Sequence, residues 1–320
     1  MALPVSKIKH VLISDIDITQ RFDVKILDEY VNTCITAAQN ALQSAVPPGF
    51  SDFHRDVLQH VMEGMRSAHV SIRKLLRDGP SASSVDAMTI ARLQLEALYS
   101  YCFLLQDTNN VSLFLKNGWK KEYIRFLLMR EECINIPRVN EFVCNIAIPT
   151  LDHKRKLIGV TDAEKLTIEN KEIGVKMPIG IQEEKIADFP TPGKILDRIV
   201  NPDQKKMLER LLPEYYWLCS FAHGDQNASF FRTALDNRSP QARFTTPEER
   251  EDVFQKQIAE DSVLYSTISA VQAATEVATI YPGNIELMAK LTSAWTGLNK
   301  FTLLACSVWE RRARKVLPLI

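Results

Sequence analysis

The sequence predicts an all-α fold, a bundle of roughly eight to ten helices, and three observations predict it. Long stretches repeat their apolar residues at helical rather than alternating spacing. Pro/Gly punctuation such as Pro47-Pro48-Gly49, Asp78-Gly79-Pro80 and Tyr281-Pro282-Gly283 separates these stretches. Glycine is scarce, at 11 of 320 residues, which argues against a β-sandwich or a Gly-rich nucleotide fold. With 46% hydrophobic and 24% charged residues, the chain can bury a sizeable core, and it reads as one domain over 1–320.

Residues 5–20 alternate in part (Ile8, Val11, Ile13, Ile16, Ile18), and 1–20 suggest a short arm or strand. A helix over about 23–45 follows from Val24, Leu27, Val31, Ile35, Ala38 and Leu42. Ser51 or Asp52 starts a second helix, which runs to about residue 77. The third, 84–107, is apolar over most of its circumference, so neighbours should bury it on several sides. Its polar stripe, Asp86, Thr89, Arg92, Glu96, Ser100 and Asp107, includes a charged pair four residues apart, with Tyr99 and Phe103 at its edge. The wide apolar arc marks this helix as the one the chain is organised around.

A fourth helix spans 109–133, with a break expected at Asn117-Gly118. It interleaves Lys120, Lys121, Arg125 and Arg130 with Trp119, Tyr123 and Phe126, a pattern for snorkelling cations or for a phosphate and base. Pro137 starts another helix and Pro149 interrupts it; 150–173 is again helical in pattern. Residues 174–193, rich in Pro and Gly, form a long irregular loop or lid. A helix over 202–223 is kinked at Pro213. Thr246-Pro247-Glu248-Glu249 opens a helix to about residue 280. A last helix runs from 285 to 316, with Arg311, Arg312, Arg314 and Lys315 as a solvated basic end.

Formal net charge is zero, so no global field draws the chain onto nucleic acid or anionic membrane. The six cysteines form no CxxC pair and most sit in apolar helical patterns, as core thiols in a reducing cytosol would. No metal and no cofactor are expected, since ligand spacings, P-loop and GxGxxG are absent. Neither a signal peptide nor an uninterrupted apolar run of about twenty residues is present, and a cytoplasmic location is expected.

His223 follows Tyr215, Tyr216, Trp217 and Phe221 and precedes Gly224 at a helix end. A His there can cap carbonyls, or act as an acid/base or phosphate-binding group. Two local patterns, Arg92-Leu-Gln-Leu-Glu96-Ala-Leu-Tyr99 and Tyr215-Tyr-Trp-Leu218-Cys219-Ser-Phe-Ala-His223, frame residues 84–224. On these the chain resembles an all-helical, mostly bacterial family of unknown function. The resemblance implies that Arg92, Glu96, Tyr215 and His223 meet inside a water-poor centre of the bundle; it implies no reaction. Cys219 stands where that family more often has Ser.

The chain is also similar, more distantly, to HEPN proteins, helical bundles that often act as metal-independent ribonucleases through an Arg-x(4–6)-His motif. Arg55-Asp56-Val-Leu-Gln-His60 has that spacing, although five residues on one helix place the two side chains about 140° apart. The expected function is a binding or interaction module of unassigned role, in stress or phage-defence responses, with Arg92, Glu96, Tyr99, Tyr215 and His223 lining a polar pocket. Its expected ligand is RNA or another phosphate-containing molecule, and homodimerisation is compatible with the wide apolar helices. The alternative is a HEPN-like endoribonuclease or toxin using Arg55 and His60, or Arg92 and His223.

Overall fold

The computed structural model describes residues 24–77, 83–222 and 247–317. Among these there are eleven helices and no strand, so the chain is an all-α multi-helix bundle. The arm at 1–20 and His223 lie outside the described residues. No described helix is long and apolar enough to cross a membrane.

The first three helices match their expected spans: α1 Val24–Ser44, α2 Asp52–Leu75 and α3 Ser83–Leu104. Ser51 caps α2, accepting from the His54 N–H while His54 Nδ1 accepts from the Ser51 N–H. α4, Thr108–Glu132, runs straight through the expected break at Asn117-Gly118. Asn117 is buried and donates to the Ala187 carbonyl at 3.4 Å, and an added Cβ at Gly118 would meet nothing, so neither residue stops the helix.

Helix α5 covers 137–157 and is not interrupted at Pro149. Its middle, Val143–Ala147, widens into a π-turn, with Ile148 N–H bonding the Val143 carbonyl. Pro149 has no N–H to give, and the wider turn just before it keeps the chain helical. α6, Asp162–Ile173, starts on a Thr161/Glu164 capping box and ends on Gly174, whose φ of 71° suits glycine.

The irregular segment then extends to Thr191, where the short α7, Pro192–Leu196, begins. Its second half is a pinned strap. Lys120 Nζ donates to the Ile186 carbonyl at 3.1 Å and pairs with Asp188 at 2.9 Å, while Ile186 is buried. Phe189 packs against Phe103 and Phe114.

Three helices complete the bundle: α8 Pro202–Ala222, which contains Pro213, α9 Pro247–Ile280, and α10 Ile285–Leu298. The expected final helix is split. The chain leaves α10 at Asn299 and starts again where Thr302 caps Leu304, giving α11 over 303–316 with a π-turn at Trp309–Ala313. A capping hydroxyl inside an apolar run made the break.

α3 holds the central place expected of it, packing on α2, α4, α7, α8 and α9, and α9, its most extensive partner, shares that place. From Ser262 to Ala278 every side chain except Tyr265 is buried. Polar residues survive there because Thr267, Ser269 and Thr275 return their hydroxyls to carbonyls one turn back, at 2.7–2.8 Å. Their small side chains let α1, α2, α3 and α10 approach. On α3 the expected polar stripe is indeed the less buried side, but Leu93, expected to be buried, is 50% exposed.

The core falls into two clusters. The main one joins α1–α3 with α8–α11; a smaller one gathers Trp119, Tyr123, Leu127, Leu151, Val160, Ile168 and Ile186 into a lobe. α4 runs from one to the other, with Val111 in the first and Trp119 in the second. Where α10 crosses α1, a Cβ at Gly297 would collide with the Tyr30 ring. Gly297→Ala is therefore expected to lower stability by about 1–3 kcal/mol in urea unfolding. An unchanged unfolding midpoint would show that the partly buried Tyr30 ring swings clear of the added methyl.

Candidate functional site

Arg92, Glu96, Tyr99 and Tyr215 come together where α3 crosses the second half of α8. Arg92 Nη2 donates to Glu96 Oε2 at 3.2 Å, and its Cζ sits 5.7 Å from the centroid of the Tyr215 ring. Tyr215 is also held by Tyr99, at a ring separation of 6.3 Å. Tyr99 is fully buried, and its hydroxyl donates to the Leu208 carbonyl at 2.5 Å, fixing α3 against α8. Burial raises the Tyr215 phenol above its usual value and outweighs the opposing pull of Arg92, with Cys219 and Glu96 adding to the rise.

The site lies at the edge of the bundle and not in a water-poor centre. The Arg92 side chain is 20% exposed and that of Glu96 is 41% exposed. Even so, Arg92 Nε is buried with no hydrogen-bond partner among the described residues. Beyond Tyr215 the rings continue outward: Tyr216 lies 5.7 Å away by centroid and is 58% exposed. Cys219, one turn after Tyr215, is half-buried and interacts with both Tyr215 and Arg92. No geometry for His223 follows from the described residues.

The second expected pair is not assembled. Arg55 spends its guanidinium on Asp52 at 2.6 Å and Asp56 at 2.9 Å, while His60 is exposed farther along α2. The basic–aromatic pattern of α4 also resolves into core and strap. Trp119 and Tyr123 stack in the small core at 4.7 Å, and Lys120 holds residues 186–188.

Three polar groupings were not anticipated from the residues. The deepest is Glu276 on α9, 1% exposed, gripped by Arg312 through Nε at 2.9 Å and Nη2 at 2.7 Å. Gln204 and Gln272 complete its hydrogen bonds at 2.8 and 2.7 Å. Arg312 was expected in a solvated basic end. The π-turn at Trp309–Ala313 instead places it inward, while Arg314 pairs with Glu310 and Lys315 with Asp203 on the outside. Gln272 and Glu276, four apart in a half of α9 that otherwise holds only apolar and small hydroxyl side chains, were the available signal.

A second grouping is a row from Asp28 through His69 to Ser266, with both contacts at 3.0 Å. Asp28 can only accept, so the His69 proton on this side sits on Nε2. Burial alone would raise the Asp28 carboxyl, but the His69 hydrogen bond and the Arg73 guanidinium hold it below the usual carboxylate value. The row resembles a nucleophile–base–acid arrangement, yet Ser266 is 0% exposed. It fastens α1, α2 and α9 together. A cleft of about 140 Å³ opens one turn away, lined mainly by Val24, Leu27, Leu76 and Val263, with Arg73 and Glu260.

The third grouping is acidic. Tyr265 donates to Glu214 at 2.8 Å, and Arg210 pairs with the same carboxylate at 2.9 Å. Asp261 lies one turn before Tyr265; burial, then repulsion from Glu260 and Glu214, pushes its carboxyl up to about 7. Among the described residues, no three His, Cys, Asp or Glu side chains are grouped as a metal site.

No protein-family model, curated protein or solved structure matches the chain.

Proposed function

We propose that this chain is a binding module that takes a phosphate-bearing ligand, RNA or a nucleotide, at the face shared by α3 and α8, and that it works in the cytoplasm. The observation that carries the reading is the unpaired, buried Nε–H of Arg92. A buried donor without an acceptor costs about 1–3 kcal/mol, and an anion supplies the acceptor. Glu96 holds the guanidinium weakly, since an exposed pair at this spacing contributes about 0.3–0.5 kcal/mol. An incoming phosphate can displace it. The exposed Tyr216 ring then lies where a base could stack. The cytoplasmic setting is supported by six free thiols, two of them buried in the core.

The test is calorimetric titration of the full chain with a 5′-phosphorylated RNA oligonucleotide in EDTA. Arg92→Met should weaken binding by about 10–100-fold, the loss of one charged hydrogen-bonding anchor. Glu96→Gln should strengthen it by a few-fold, because the competing carboxylate is gone. Binding that survives Arg92→Met unchanged sinks the proposal. The RNA should emerge intact; cleavage abolished by His60→Ala or His223→Ala would make the chain an enzyme instead.

A further inference from the structure

More than half of the exposed large apolar side chains among the described residues lie on the small lobe, outside its core. Five of them, Leu128, Ile134, Ile136, Phe142 and Ile146, fall at the α4–α5 end, with exposures from 39% to 63%. Phe142 joins the two helices, its ring 6.3 Å from that of Phe126 on α4. Helix α5 turns only Val143, Ala147 and Leu151 inward as buried residues. Its outer face would ordinarily be charged. Yet no charged residue occurs from Phe142 to Leu151.

We propose that this outer face of α5, with the adjoining end of α4, is an interface between two copies of the chain related by a two-fold axis. The proposal is independent of the Arg92 site, which lies on the main bundle. Side chains of this size, each about half open, present roughly 400–500 Å² of apolar surface. That is the apolar share of the ~800 Å² which each partner buries in an ordinary stable interface.

The charges also suit a second copy. A two-fold contact must be complementary to itself. Glu131, Glu132 and Glu141 lie at one end of the face, with Arg130 and Arg138 among them; Lys154 and Lys156 are exposed at the other. Antiparallel apposition of two such faces sets the acid-containing end of each against the lysines of its partner. Zero net charge removes any long-range repulsion between copies.

Sedimentation equilibrium of the full chain at about 50 μM should find a dimer. Ile146→Lys should weaken its dissociation constant by about 100-fold, since two buried ammonium groups would then face an apolar contact. Ile146 is exposed, so circular dichroism and the unfolding midpoint should not change. Phe142→Ser, which adds no charge, should weaken the dimer in the same direction. Cys144, exposed on the same helix, should be captured as a covalent dimer by a bis-maleimide reaching about 10 Å, and Cys144→Ser should abolish the product. A monomer at that concentration, or a dimer indifferent to both Ile146→Lys and Phe142→Ser, overturns the proposal.

Discussion

Arg312→Ala lowers the free energy of unfolding by about 3–5 kcal/mol, the cost of stranding one member of a buried ion pair. Glu276 is 1% exposed and would keep Gln204 and Gln272 as donors while losing both hydrogen bonds to the guanidinium. Those two bonds also tie α11 to the central helix, so the C-terminal segment should loosen first. Urea unfolding compares this variant with Arg314→Ala, whose partner Glu310 is exposed and whose loss should cost under about 0.5 kcal/mol. Joint replacement of Glu276 by Leu and Arg312 by Met should recover most of the loss, because apolar packing can stand in for a buried pair. If Arg312→Ala proves as mild as Arg314→Ala, the pair is not buried in solution.

Asp261→Asn should act in the opposite direction and stabilise the protein at pH 8. The Asp261 carboxyl rises to about 7 in the fold, chiefly through burial, against about 3.9 in an unfolded chain. Folding therefore takes up a proton between those values. The contribution of Asp261 is most favourable below about pH 4, becomes less favourable as pH rises to about 7, and is flat above. Each tenfold change in proton affinity corresponds to about 1.36 kcal/mol. Since Asp261 keeps some solvent contact, the full conversion is discounted to about 2 kcal/mol. The stability difference between the Asp261→Asn variant and the wild type should be near zero at about pH 4 and about 2 kcal/mol in favour of the variant at pH 8. Parallel pH–stability curves for the two proteins would show that the Asp261 carboxyl titrates normally in the fold.

The helices were legible because their boundaries are local. Pro47-Pro48-Gly49 and Tyr281-Pro282-Gly283 act on the few residues around them: α1 ends and α2 begins beside the first, and α9 ends beside the second. The polar stripe of α3 was legible for the same reason, since helical periodicity alone places Asp86, Thr89, Arg92 and Glu96 on one side. The depth at which α9 is buried was hidden. Its Ser and Thr residues look polar in a hydropathy count, but a hydroxyl returned to its own helix leaves little to hydrate. Pro149 and Arg312 were misjudged for another reason. Pro149 lies just after a π-turn and Arg312 within one, and one widened turn keeps a helix going past a proline or turns a cation from solvent to core. The partner of Arg312 is 36 residues away on another helix, beyond the reach of any periodicity.

At the candidate site, the meeting of Arg92 with Tyr215 came from the two short patterns that frame residues 84–224. Their depth did not: Glu96 is far more open than a water-poor centre allows. The Asp28–His69–Ser266 row escaped because three separate helices supply one residue each, with nothing local to announce it.

The Arg92 Nε–H itself is the most direct reporter of the proposed binding function. In a ¹H–¹⁵N spectrum of the arginine side chains, the Arg92 resonance is identified by its disappearance in Arg92→Lys. On addition of the 5′-phosphorylated oligonucleotide it should shift downfield in saturable fashion, as a new acceptor closes on the unpaired donor. A resonance that stays in place while the oligonucleotide binds elsewhere would contradict a phosphate site on this face.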